Sequence, residues 1–97
     1  MAAYLVATVR ITDPEKFALY AKAIAGVCEQ HGGSYLARGK VTEVLEGDVH
    51  PDERVVVIRF DSAEAAKGYI NSAEYQAGKA HRQGGAELEM RLIVDPA

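Results

Sequence analysis

Three side chains have types and settings that could do chemistry. Arg38 stands beside Gly39 in the run Ser34-Tyr35-Leu36-Ala37-Arg38-Gly39. A guanidinium presents a rigid fork of donors that matches the two oxygens of a carboxylate or the oxygen of an enolate. The glycine next to it allows close backbone approach to a ligand. Glu46, followed by Gly47, offers a carboxylate that can move a proton. Tyr20 falls on an apolar helical stripe and can offer a phenol to a ligand held beneath that helix. Each also has a purely structural use. Arg38 and Glu46 can form a salt bridge across a bent strand, and Tyr20 can be a core aromatic with its hydroxyl satisfied.

Other residues carry weaker signals. Tyr69 and Tyr75, with Glu74 between them, flank a point where a helix breaks at Asn71-Ser72. Such a break can open the mouth of a pocket or simply let the chain turn. With Arg38 and Arg59, these tyrosines are the candidate ligand-binding residues. His31, His50 and His81 lack ligand spacing, so no metal site is expected. Cys28 is the single cysteine, has no disulfide partner within the chain, and lies on the apolar side of a helix as a small core residue would. Ser34, Ser62 and Ser72 sit where turns and caps need them. Neither a nucleophile elbow nor a phosphate loop occurs, and no cofactor is expected.

The elements that must position these groups follow from periodicity. Alternation over Ala3 to Ile11 predicts a strand, with Leu5, Ala7, Val9 and Ile11 on one face and Tyr4, Val6, Thr8 and Arg10 on the other. Asp13-Pro14 is a helix start. Phe17, Tyr20, Ala21, Ile24, Val27, Cys28 and His31 mark the buried stripe of one helix that runs to about His31 and ends at Gly32-Gly33. Ser34 to Gly39 reads as a second strand that bends at Gly39 and resumes from Val41 to Glu46, before a loop over Gly47 to Glu53. Arg54 to Phe60 is apolar on both faces, as a covered central strand should be. A second helix starts at Asp61 or Ser62, is interrupted at Asn71-Ser72, and restarts to about Gln83. Glu87 to Asp95 is the last strand.

This β-α-β-β-α-β order predicts one α+β domain over residues 1–97, a ferredoxin-like fold: a four-stranded antiparallel sheet with both helices on one face and the first and third strands central. The face without helices then carries Tyr4, Val6, Val55, Val57 and Ile93, an apolar patch that a second copy of the same sheet can cover about a two-fold axis. A homodimer through the open sheet face is therefore expected. Arg10, Arg59, Glu89 and Arg91 share that face, with Arg10 and Glu89 expected as neighbours. The arginines either pair within the dimer or hold a small anion.

Composition narrows the partners. The chain has 11 basic and 14 acidic residues for a net charge of −3, with no basic run, which argues against nucleic-acid binding. No stretch is long and apolar enough to span a bilayer, and a cytoplasmic protein is expected.

Taken together, Gly32-Gly33-Ser34-Tyr35-Leu36-Ala37-Arg38-Gly39, Glu46-Gly47, Arg54-Val55-Val56-Val57-Ile58-Arg59-Phe60, Ala65-Ala66 and Asn71-Ser72-Ala73-Glu74-Tyr75-Gln76 resemble the DUF1330 proteins, over Tyr4 to Val94. That resemblance implies a dimeric α+β barrel, in which two ferredoxin-like subunits pack sheet to sheet. Proteins of that superfamily include small cofactor-free monooxygenases, muconolactone-isomerase-like proteins and dye-peroxidase-like haem proteins, so fold alone does not carry an activity across. Two positions depart from the family pattern: Tyr69-Ile70 stands where Trp-Tyr is usual, and Ala73 where proline is usual. The expectation is a small homodimer that binds or transforms an anionic or aromatic metabolite without a cofactor, monooxygenase- or isomerase-like if catalytic, with Arg38 orienting an oxyanion and Glu46 or Tyr20 handling a proton. The alternative is a non-catalytic ligand-binding or structural dimer module.

Overall fold

The computed structural model describes residues 1–95. Four strands, β1 (Ala3–Ile11), β2 (Ser34–Lys40), β3 (Arg54–Phe60) and β4 (Ala86–Val94), form one antiparallel sheet in the order β2-β3-β1-β4. Both central strands are the ones whose apolar residues point to both faces. On β1 the residues Ala3, Leu5, Ala7 and Val9 are buried beneath the helices, while Tyr4, Val6 and Thr8 on the open face are half-buried. Among the described residues no helix is long and apolar enough to cross a membrane.

The helical layer is divided in four. α1 (Pro14–Ala23) is capped by the Asp13 carboxylate, which accepts from the amides of Glu15 at 3.1 Å and Lys16 at 3.4 Å. The single long helix expected to reach His31 is instead interrupted. Gly26 takes a left-handed conformation (φ 80°), which ends α1 and lets the chain restart as α2 (Val27–Gln30). The apolar stripe continues across the break, which is why periodicity concealed it. α3 (Ala63–Ile70) is capped by Ser62, and α4 (Ala73–Arg82) by Ser72, as the expected restart required. Ser72 also ties the two together, donating to the Tyr69 carbonyl at 2.7 Å.

Two further expectations change. Strand β2 runs through Gly39 to Lys40 and does not resume over residues 41–46; residues 41–53 are irregular, apart from the Val41 amide bonding the Glu53 carbonyl at 2.8 Å. On the open face Arg10 pairs with Glu87, directly across from it, at 3.0 Å, not with Glu89. Glu89 pairs with Arg91 at 3.5 Å, and Arg59 with Asp61 at 2.7 Å. Each arginine of that face thus has a carboxylate within its own subunit.

Core packing is close where β2 begins. A Cβ added to Gly33 would come within 2.8 Å of the Phe60 ring and collide with the Cys28 sulfur, and both neighbours are fully buried. Gly33→Ala should therefore cost about 1–3 kcal/mol by overpacking. For a domain of this size that is a fall in Tm of roughly 5 °C or more by thermal circular dichroism. An unchanged Tm would mean that the start of β2 is free to move.

Candidate functional site

The helical layer does not close fully on the sheet. α1 rests mainly on α4, and the contact is close: a Cβ on Gly78 would meet the Ile24 side chain at 2.5 Å. Beneath α1 a cavity of about 360 Å³ remains. One lateral row of the sheet crosses the middle of its floor. Arg38 is in register with Val56, Val56 with Ala7, and Ala7 with Met90, and all four line the cavity. The small side chain of Ala7, central in that row, helps leave the space open.

Arg38 reaches this wall because of an irregularity in β2. Tyr35 pairs with Ile58 and faces the helices. In a regular strand a residue three positions on would face the opposite side. The register shifts between Tyr35 and Ala37, so that Arg38 pairs with Val56 and returns to the helix side. There its guanidinium lies over the Tyr35 ring, 4.5 Å from the centroid. Arg38 remains exposed at the edge of the cavity and pairs with no carboxylate among the described residues.

Tyr20 and Tyr69 also line the cavity, from α1 and α3. Tyr75 stands behind Tyr20, and the two hydroxyls are 3.4 Å apart. The Arg82 guanidinium donates to the Tyr75 hydroxyl at 2.9 Å and lies 4.8 Å from the centre of the Tyr20 ring. Arg82 is only 9% exposed and its partners here are tyrosines. Burial pushes the Tyr20 phenol well above its ordinary range; the nearby Tyr75 adds to this and Arg82 opposes it. Burial likewise raises Tyr69 and Tyr35. These three side chains therefore stay neutral at physiological pH and act through hydrogen bonds. Cys28, pushed up to about 11 by burial, is a protonated core thiol.

The expected residues separate as follows. Arg38, Tyr20 and Tyr69 meet at one cavity, and Tyr75 supports Tyr20 from behind. Glu46 does not line the cavity, because the chain leaves the sheet after Lys40 and carries it onto an exposed loop. Arg59 lies on the opposite face of β3 from Ile58 and Phe60, paired with Asp61. The carboxylate in the wall is Glu29, on α2. Reading residues 14–31 as one helix gave no reason to place it there; only the turn at Gly26 does. Arg82 and Tyr35 were also missed. For Arg82 the available signal was its spacing, seven residues after Tyr75 on one helical face. Among the described residues no group of histidine, cysteine and acidic side chains could hold a metal.

Comparisons place this fold among known proteins. A family model described as a domain of unknown function, DUF1330, matches residues 2–95. No curated protein matches the chain. A protein of unknown function from Rhodopseudomonas palustris superposes with a TM-score of 0.78 at 22% identity, over 98% of this chain and 84% of that one. SnoaB from Streptomyces nogalater, a cofactor-independent oxygenase, gives 0.66 at 11% identity, over 99% and 94%. A dimeric ferredoxin-like protein of unknown function from Thermobifida fusca gives 0.67 at 16% identity, over 98% and 92%. At these identities the likeness establishes the ferredoxin-like fold.

Removing the Tyr75 hydroxyl should leave a buried Arg82 donor without its acceptor. Tyr75→Phe is expected to cost about 1–3 kcal/mol in urea unfolding. In an Arg82→Met background the same change should cost at least about 0.5 kcal/mol less. Strict additivity would show that the pair is not coupled.

Proposed function

Since the chain belongs to the DUF1330 family, described only as a domain of unknown function, we propose its role from the cleft: it binds a small aromatic or otherwise apolar molecule bearing a carboxylate or enolate oxygen. The observation that carries this is Arg38, stacked on Tyr35 at the edge of an apolar cavity without a carboxylate of its own. An anionic ligand group completes that arginine, while Phe17, Ile24 and Val56 bury the rest of the molecule. The volume suits one or two rings.

The wall also suggests a reaction. Arg38 stabilises an oxyanion, Tyr20 is a neutral phenol whose hydroxyl can turn from Tyr75 to donate a hydrogen bond, and Glu29 is a carboxylate able to accept a proton. Together they support deprotonation of an acidic C–H or O–H bond without a cofactor. The resulting enolate or phenolate is the common first intermediate of two outcomes. An isomerase returns the proton at another atom; an oxygenase lets the anion reduce dioxygen. The shared fold of SnoaB, a cofactor-independent oxygenase, is compatible with the second.

The active form in this reading is a homodimer. Val6, Val55 and Val57 are only half-buried on the open face and Ile93 is 53% exposed, so a second sheet would bury apolar area that a monomer leaves in water. The dimeric Thermobifida fusca protein of the same fold supports this.

Two measurements test the proposal. Titration with benzoate, salicylate and their uncharged amides should show thermal stabilisation by the acids only. Arg38→Ala should weaken binding at least tenfold, about 1.4 kcal/mol, with the fold intact. Equal binding of acids and amides, or an indifferent Arg38→Ala variant, would overturn the role of the arginine. Light scattering coupled to size exclusion should find twice the 10.5 kDa chain mass at micromolar concentration. Val57→Glu, which places a charge in the apolar patch, should shift that species toward the monomer.

A further inference from the structure

A second, more open cavity, of about 330 Å³, lies beside the first on the same side of the sheet, under α3 instead of α1. Along the helix-facing side of β4 stand Leu88, Met90 and Leu92, successive residues of one face about 7 Å apart. Leu88 lines only the first cavity and Leu92 only the second, whereas Met90 lines both. From β1, Leu5 is the other shared residue. It is 3% exposed and sits in the packed core, so it is the fixed part of the boundary. Met90 is only half-buried, on an edge strand, and methionine is an unbranched side chain that changes shape at little cost.

From this we infer that the two cavities are subsites of one ligand site, separated by a movable Met90, and that the site takes elongated ring-containing carboxylates. The inference rests on the reading of the first cavity as a ligand site anchored at Arg38. Arg38 and Met90 end the same lateral row, three strand spacings or about 14 Å apart along the sheet. The Arg38 guanidinium lies over Tyr35, whose own row runs through Ile58 and Leu5 to Leu92, so a ligand whose carboxylate meets it points its far end at the Met90–Leu92 side of the sheet. A single ring stops short of it. A longer molecule meets the thioether, turns it aside and continues against Ala66, Ile70 and Leu92. Lys67 and Asn71, also in the wall of the second cavity, provide donors for an acceptor group at that distal end. The first cavity alone is near the lower end of the roughly 300–1,000 Å³ range of small-molecule pockets, and the hollow under α3 extends it. The ligand class is thus set by length as well as by charge, and Met90 is the specificity-determining residue.

Calorimetric titration with benzoate, 2-naphthoate and biphenyl-4-carboxylate tests this on the wild type, Met90→Ala and Leu92→Trp. In Met90→Ala the biphenyl acid should bind at least tenfold tighter than in the wild type, with benzoate changed less than threefold. Leu92→Trp should weaken the biphenyl acid at least fivefold and leave benzoate unaffected. The chain contains two methionines, so with methyl-labelled methionine the Met90 signal can be followed directly. It should move on adding the biphenyl acid to the wild type, whether or not the variants fold. Benzoate binding with no gain in Met90→Ala, or a Met90 methyl signal that stays still as the biphenyl acid saturates, overturns the two-subsite inference and leaves the Arg38 site standing. Failure of all three acids to bind any form overturns the Arg38 reading and this inference with it.

Discussion

A buried guanidinium governs how the helical layer sits. Arg82 is almost wholly removed from water, and a cation in that position needs acceptors and polarisable faces around it. It finds them in the hydroxyl of Tyr75 and the rings of Tyr20 and Tyr75. Tyr20 belongs to α1 and the other two to α4, so satisfying the charge binds α1 to α4. The close approach of Gly78 to Ile24 fixes the same pair from the apolar side. With α1 held sideways against α4, it cannot also settle onto the sheet above Ala7. The cavity is the space that this geometry leaves.

The chemistry of the cavity then depends on a single irregular residue pair in β2. Strict alternation would put Tyr35 and Arg38 on opposite faces. The shift of register between Tyr35 and Ala37 puts both on the helix side, where aromatic ring and guanidinium stack. A largely apolar wall that already holds the Glu29 carboxylate acquires a positive charge at its edge, while burial keeps its phenols neutral. Charge recognition and hydrogen bonding are thereby assigned to different side chains. The open face of the sheet contrasts with this. Its arginines are each offset by a carboxylate within the subunit, which leaves apolar area as its main resource for interaction.

The strand and helix order was legible from the chain alone, because period-two and helical spacings of apolar residues report which face is covered. So were the central places of β1 and β3, the caps at Asp13 and Ser72, a cap at Asp61 or Ser62, and the buried position of Cys28. Arg38, Tyr20 and Tyr69 could be singled out by residue type and setting. Local pattern could not show that α1 ends before Gly26, since the apolar stripe runs on past the break. It also could not show that residues 41–46 leave the sheet, since a strand's pairing depends on a partner that the segment itself does not contain.

What tertiary structure alone decided is which side chains share a space. The row Arg38, Val56, Ala7 and Met90 joins residues from four strands through their register, and register is a property of pairing between distant segments. Glu29 enters the cavity wall, and Glu46 stays outside it, through the turn at Gly26 and the exit of the chain after Lys40. The sequence determined the layers, their faces and the residues able to do chemistry, because those follow from periodicity and side-chain type. Their convergence on one cavity came from a buried charge, a bulge and a register, each of which exists only once the chain has folded.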